Sequence, residues 1–259
     1  MSWLDRGFET FPPEPAVEDW LREAGPAALA AAAEPGLRRR WLRHGETWFV
    51  GVGVLGNDAE GRVAGGTPLA GAARAAAEAV TGRLALHPAQ VSVTYPGYPG
   101  RDPDESEAAH RYRRTRDAAH LDGLLPVGAE KRRFLKEVHG YILGIAVTGA
   151  DPGAAPLVVR EGSHRLIRAA FAEALAGADP ARWSDIDLTE VYQAARREVF
   201  ARCPRVELPL RPGQSVLLHR HAIHGVAPWA EGAGAAPEGR AIVYLRPELP
   251  QRADWLSLP

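Results

Sequence analysis

The stretch RDAAHLDG, residues 116–123, and the run LLHRHAIHGVAP, residues 217–228, decide how this chain is read. His120 and Asp122 stand two apart. In a strand that spacing puts both side chains on one face, whereas in a helix they diverge. His224 adds an imidazole at the end of an apolar, strand-like run, at the turn opened by Gly225. Two imidazoles and one carboxylate are the set that grips a non-haem ferrous ion on one face and leaves positions open for chemistry. Taken alone, an HxD triplet usually just begins a surface turn. Its partner far downstream is what raises it above that.

The same run holds two competitors. His219 and His221 share strand parity and could form a histidine-rich metal site of their own. His224 is preferred because the strand end puts it at the mouth of a barrel, with His219 inside as an accessory group. Further on, Arg240 opens the strand Arg240 to Arg246. A guanidinium grips a carboxylate through a two-pronged fork that lysine cannot reproduce, so Arg240 is a candidate anchor for an acidic cosubstrate. Arg246 shares its strand face and is the alternative. In a chain with 29 arginines and 2 lysines, the ordinary expectation for either is a solvated strand edge.

Working outward, the pattern is a helical lead-in followed by short strands. Residues 1–90 read as helices with one strand: proline-started helical stretches at Pro15 to Glu23 and Pro26 to Ala33, a strand at Thr47 to Leu55, and an alanine-rich helix from Thr67 to Leu84. Residues 91–259 read as strands at Val91 to Tyr95, Tyr141 to Thr148, Pro156 to Arg160, Arg205 to Leu210, Gln214 to Arg220 and Arg240 to Arg246, punctuated by Pro-Gly turns. Two helices interrupt them as an insert at about 165–202. Many short strands after helices predict a single domain, mainly β with flanking helices, built on a jelly-roll core. Gly51 to Gly56 spells GxGxxG, but the turn residues Asn57-Asp58 follow where a phosphate-binding helix would have to start, so a nucleotide site is rejected.

Ser163 is placed to cap the helix that follows the strand ending at Arg160, with His164 in its first turn. Arg111 to Arg116 is a basic run. Arg116 shares parity with His120 and could reach an acidic substrate, and Tyr95 sits in an aromatic loop that could line a pocket.

The bulk properties exclude more than they identify. The chain has 259 residues, 46% of them hydrophobic and 24% charged, with a net charge of −1. No global field draws it to nucleic acid or to an anionic membrane, and no apolar stretch reaches membrane-spanning length, so neither is an expected partner. The beginning, Met1 to Trp20, lacks the pattern of a secretory leader. Cys203 is the single cysteine, which fits a reducing cytoplasm and leaves nitrogen and oxygen as the available metal donors.

With these residues in view, the chain resembles the phytanoyl-CoA dioxygenase-like family of iron(II)- and 2-oxoglutarate-dependent oxygenases, from about Thr47 onward. RDAAHLDGLLP is similar to the family's HxD strand, APLVVREGSHR to its strand and GSH turn, and RPGQSVLLHRHAIHGVAP to its distal-histidine segment. The resemblance implies that His120, Asp122 and His224 hold iron, that His219 and His221 are accessory, and that Arg240, or else Arg246, pairs with the far carboxylate of 2-oxoglutarate. The chain departs from the family in a longer stretch between His224 and Arg240, and in Gln214, where an acid is common. The resemblance further implies a double-stranded β-helix of the cupin-like kind. It also implies oxygen as cosubstrate, and oxidation of a C–H bond, by hydroxylation in the first instance, as 2-oxoglutarate becomes succinate and carbon dioxide. An acyl-CoA substrate does not follow from the family's name. The rival readings are a cupin-like metalloenzyme that does not use 2-oxoglutarate and a catalytically silent metal- or ligand-binding relative.

Overall fold

The segment YILGIA, residues 141–146, contains no charged residue, and every one of the six is buried, as a strand covered on both faces requires. It is the middle of the molecule. In the computed structural model, which describes residues 2–259, the chain runs through α1 (Trp3–Arg6), β1 (Phe8–Phe11), α2 (Pro15–Ala33), α3 (Pro35–Trp41), β2 (Leu42–Arg43) and β3 (Trp48–Leu55). Then come α4 (Ala72–Thr81), β4 (Ala89–Thr94), α5 (Glu107–Thr115), the hairpin β5 (Leu124–Val127) and β6 (Arg132–Leu135), β7 (Tyr141–Ala146) and β8 (Leu157–Arg160). The helices α6 (Ser163–Ala174) and α7 (Thr189–Arg202) precede β9 (Arg205–Leu208), β10 (Ser215–His219), β11 (His224–Val226), β12 (Arg240–Leu245) and α8 (Asp254–Ser257).

Seven strands form an antiparallel sheet in the order β1-β10-β7-β12-β4-β3-β2, and three form a second sheet, β11-β8-β9. Strand alternation sorts the residues of the large sheet into two cores. Ile142, Ala146, Val216, Leu218 and Ile242 face inward and pack against Leu157, Val159 and Leu208 of the small sheet. Leu143, Ile145, Leu217, Val243 and Leu245 face outward under Trp20, Ala24, Ala28, Ala73 and Ala77 of α2 and α4. Two facing sheets with helices outside make the double-stranded β-helix with flanking helices that the strand pattern predicts.

Several expectations change. The first ninety residues contribute three strands to the large sheet, because β1 pairs with β10 (Phe8↔Leu218) and β2 with β3. A four-residue edge strand has too short a pattern to read, and its partner lies near the other end of the chain. The helix expected from Thr67 begins at Ala72, after Gly71 in a conformation (φ 129°) that side chains rarely adopt. The β5–β6 hairpin has no clear strand pattern in the sequence, with Pro126 inside its first strand. Gly162, not Ser163, caps α6; Ser163 is fully buried and its hydroxyl accepts the Ile223 N–H at 2.9 Å. The GxGxxG run lies in β3 as a bulged strand with no helix behind it.

The turn that delivers His120 is strained. Asp117 and Ala118 both adopt the left-handed conformation, at φ 58° and 50°. The Asp117 carboxylate, 4% exposed, accepts two hydrogen bonds from Arg205 of β9 at 2.9 and 2.8 Å and lies 3.7 Å from Arg160 of β8. The Asp117 carbonyl also accepts the Val226 N–H at 2.9 Å. Asp117→Ala would leave one largely buried and one third-exposed arginine without their acid. The expected cost is about 2 kcal/mol, read as a lower urea or thermal unfolding midpoint.

Candidate metal centre

His120 and His224 meet as a reciprocal backbone pair. The His120 N–H donates to the His224 carbonyl at 2.8 Å, and the His224 N–H donates back at 3.1 Å. Directly opposed residues point to the same side, and the two rings lie 4.9 Å apart between centroids. Asp122, two residues on, turns under them. Its Oδ1 lies 3.1 Å from His120 Nε2 and its Oδ2 lies 3.8 Å from His224 Nε2.

Each ring is fixed by the same device. His120 Nδ1 lies 3.1 Å from the Ala118 carbonyl and His224 Nδ1 lies 3.0 Å from the Ala222 carbonyl. A carbonyl can only accept, so Nδ1 carries the proton and Nε2 turns its lone pair to the centre. The three donor atoms all lie within 4.8 Å of one another. Ligands at about 2.1 Å from a common ion and at right angles stand about 3 Å apart, so small rotations bring these three onto one metal. The donor set of two nitrogens and an oxygen on one face fits a divalent first-row ion with open positions.

Protonation favours the same role. Burial pulls His224 down to about 4, so it is neutral at neutral pH. Burial works against charge on Asp122, but Arg246 and the two histidines outweigh it and hold the carboxyl well below its usual range. The hydrogen bond and charge of Asp122 raise the pKa of His120. His120 faces the opening with its side chain 49% exposed, while Asp122 and His224 are buried.

Behind the triad lies a cavity of about 220 Å³ inside the barrel, walled by Trp48, Ile142, Leu157, Tyr98 and Tyr244 among others. The two candidate arginines differ in what they already hold. Arg246 donates to Asp122 Oδ2 at 3.0 Å and also hydrogen-bonds Gln90. Arg240 is 5% exposed, stands opposite Thr94 in the ladder, and has no acid beside it among the described residues. One of its terminal nitrogens and the Thr94 hydroxyl lack partners. Burial lowers its pKa, opposed by the neighbouring Tyr244 and Tyr98 hydroxyls. It is a buried cation without a counter-ion.

Three expected pocket residues lie elsewhere. His219 follows the outward parity of Leu217 and packs against His164, His221 and Trp3, on the other face of β10 from the metal centre. The strand places alternate residues on opposite faces, and His219 falls on the wrong one. Tyr95 stacks with Arg38 at the outer core, and Arg116 caps α5 over Phe200. The parity argument for Arg116 fails because it caps α5 and the left-handed turn at Asp117 and Ala118 separates it from His120.

In their place Tyr98 and Arg113 line the cavity, with Trp48, Gln90 and Tyr244. Tyr244 follows from strand parity as the next inward position after Ile242, whereas nothing in the basic run at 111–116 singles out Arg113. Glu105 pairs with Arg113, and Asp102 accepts the N–H groups of His44 and Gly45 at 2.9 and 2.8 Å, so the loop that holds Arg113 is tied to the turn before β3. From α7, the Tyr192 hydroxyl accepts the Leu121 N–H at 3.2 Å, which brings the insert against the HxD segment.

No protein-family model and no curated protein sequence matches the chain. Among solved structures it is similar to AviO1 from Streptomyces viridochromogenes Tue57, at 16% identity and a TM-score of 0.50, covering 96% of this chain and 93% of that one. It is also similar to EctD from S. alaskensis with 2-oxoglutarate and 5-hydroxyectoine (16%, TM-score 0.48, 95% and 73% covered). A third is the non-heme alpha ketoglutarate dependent carbocyclase SnoK (14%, TM-score 0.44, 95% and 81% covered). At 16% identity the AviO1 match speaks to the fold alone.

At Gly225 the two histidine segments pass with no room for a side chain. A Cβ there would sit 2.1 Å from the Asp117 carbonyl oxygen and 3.0 Å from the Ala119 backbone. Gly225→Ala must push the His120 and His224 segments apart. We expect metal affinity, measured by titration calorimetry with Mn²⁺, to fall roughly tenfold or more, as when groups that orient ligands are disturbed.

Proposed function

We propose that this protein is an iron(II)- and 2-oxoglutarate-dependent dioxygenase that oxidises, by hydroxylation, a C–H bond of a small organic molecule. The observation that carries the reading is the pairing of a His-Asp-His donor face with an unpartnered buried guanidinium, Arg240, on the wall of one barrel. The order HxD, distal histidine, arginine is what supports the phytanoyl-CoA dioxygenase-like branch. The single cysteine fits work in a reducing cytoplasm. Among the described residues no helix is long and apolar enough to cross a membrane.

In this reading His120, Asp122 and His224 hold the iron and leave half of its coordination sphere for small molecules. Arg240 takes the far carboxylate of 2-oxoglutarate, which supplies the counter-ion that its surroundings lack. Arg246 is already engaged, and its contact with Asp122 orients that carboxylate and keeps it ionised. The apolar walls around Trp48, Ile142 and Leu157 keep water out and strengthen these charge contacts. When bound, iron with 2-oxoglutarate and oxygen supplies an oxidation strong enough to break a C–H bond, and 2-oxoglutarate leaves as succinate and carbon dioxide. Residues 1–259 act as one domain in this proposal, with the insert at 165–202 walling the mouth.

Two measurements test it. His120→Ala, Asp122→Ala and His224→Ala should each abolish stoichiometric Mn²⁺ binding in calorimetry; wild-type affinity in any two removes the triad.

With Mn²⁺-loaded protein, Arg240→Ala should weaken 2-oxoglutarate about a hundredfold or more while metal binding persists. Arg240→Lys should recover only part, because an ammonium lacks the fork. Unchanged 2-oxoglutarate affinity in both Arg240→Ala and Arg246→Ala, or no binding by the wild type, would leave a cupin-like metal site without this cosubstrate.

A further inference from the structure

We infer that the outer groove beside the metal centre receives the anionic head of an amphipathic substrate, an inference that rests on the oxygenase reading only for the word substrate. The groove, about 470 Å³, lies between α5, α7 and the β5–β6 hairpin. It shares His120, Asp122, Arg113 and Arg246 with the inner cavity, so a molecule lying in it reaches the metal ligands directly.

Its charge is unbalanced. Arg196 of α7 lies between the rings of Tyr112 and Tyr192, 5.1 and 5.2 Å from their centroids. Arg133 of β6 makes a single long side-chain contact, to the Leu124 carbonyl at 3.4 Å. Neither has an acid within ion-pairing distance among the described residues. The acids in the groove are Asp122, held by the triad and Arg246, and Glu137, which is engaged by His139 at 3.1 Å. A bound divalent ion would add more positive charge.

Unpaired arginines are common on the surface of an arginine-rich chain. These two differ in being half-buried, in being held by stacking and packing, and in converging on the groove that ends at the metal ligands. Two guanidiniums present the fork geometry that suits a carboxylate or phosphate. The rest of the wall is apolar: the tyrosine rings, and Leu125, one of three large hydrophobic side chains left exposed among the described residues. That combination fits an apolar body with one anionic end.

The test uses full-length Mn²⁺-loaded protein with three ligands of one shape class: 4-phenylbutyrate, phenyl phosphate and the neutral 4-phenylbutyramide, titrated by calorimetry. At least one anion should bind about tenfold or more tightly than the amide, the effect of gaining a charge-assisted hydrogen bond. Which anion binds tells a carboxylate head from a phosphate one. In Arg133→Gln/Arg196→Gln that preference should fall below about threefold, and Arg133→Lys/Arg196→Lys should keep part of it. Equal binding of acids and amide, binding of none, or a preference that survives the double glutamine substitution overturns the inference. The affinity for 2-oxoglutarate, measured on the same samples, reports separately on Arg240. A protein with the anion preference but no 2-oxoglutarate binding keeps the groove and loses the oxygenase.

Discussion

Two backbone hydrogen bonds, between His120 and His224, hold the candidate site together. They join a segment that belongs to neither sheet to β11 at the edge of the small one, and they set both imidazoles on one side at ladder spacing. The rest of the local structure serves this contact. The left-handed turn at Asp117 and Ala118 swings the chain into position, Gly225 leaves room for it to pass, and the arginines of β8 and β9 anchor it through the Asp117 carboxylate. Strain in that turn is tolerable because several ion pairs and hydrogen bonds over-determine it. A metal site assembled this way depends on backbone pairing more than on side-chain packing, which is why a single added methyl at Gly225 bears on it.

The buried charges of this molecule divide by how they are satisfied. Asp117 with Arg205 and Arg160 is a compensated structural cluster. Arg220, 1% exposed, has no acid either, but its guanidinium donates to the carbonyls of Trp255, Leu258 and Pro259. It is a fastener for the segment around α8. Arg246 spends its charge on Asp122. Arg240 has neither an acid nor a full set of carbonyls, and a group left so is costly unless something else completes it. The contrast with Arg220 makes Arg240 stand out: the same residue type, similarly buried, is completed at one place and left open at the other.

What was legible in the sequence was whatever depends on short-range periodicity and donor chemistry. The short, mostly apolar runs YILGIA, SVLLH and RAIVYL mark the inner strands, which the fold covers on both faces. The i, i+2 spacing of His120 and Asp122 and the turn position of His224 gave a donor set that the folded chain does bring together. Arg240 and Arg246 shared a predicted face, and they do face the same interior. Where periodicity was absent or misjudged, the reading failed. FETF is too short to declare itself a strand, and strand parity with His120 does not extend to Arg116, because a helix ends there and a left-handed turn follows; Arg113, on that helix, is the arginine that lines the cavity. His219, expected inside the barrel, shares the outward parity of Leu217, which belongs to the outer core.

The sequence by itself determined the residue types able to bind a metal, the short strand runs that build two stacked sheets, and, with Cys203 the single cysteine, that a metal cannot be held by a cluster of thiolates. Only the tertiary structure decided which of the candidates act together. Which of two equivalent arginines is already paired, which histidine of three faces inward, and which tyrosine of two walls the cavity are set by cross-strand register and by contacts between residues far apart in the chain. Pairing satisfies a charge only at hydrogen-bonding distance, and no spacing along the sequence carries that distance.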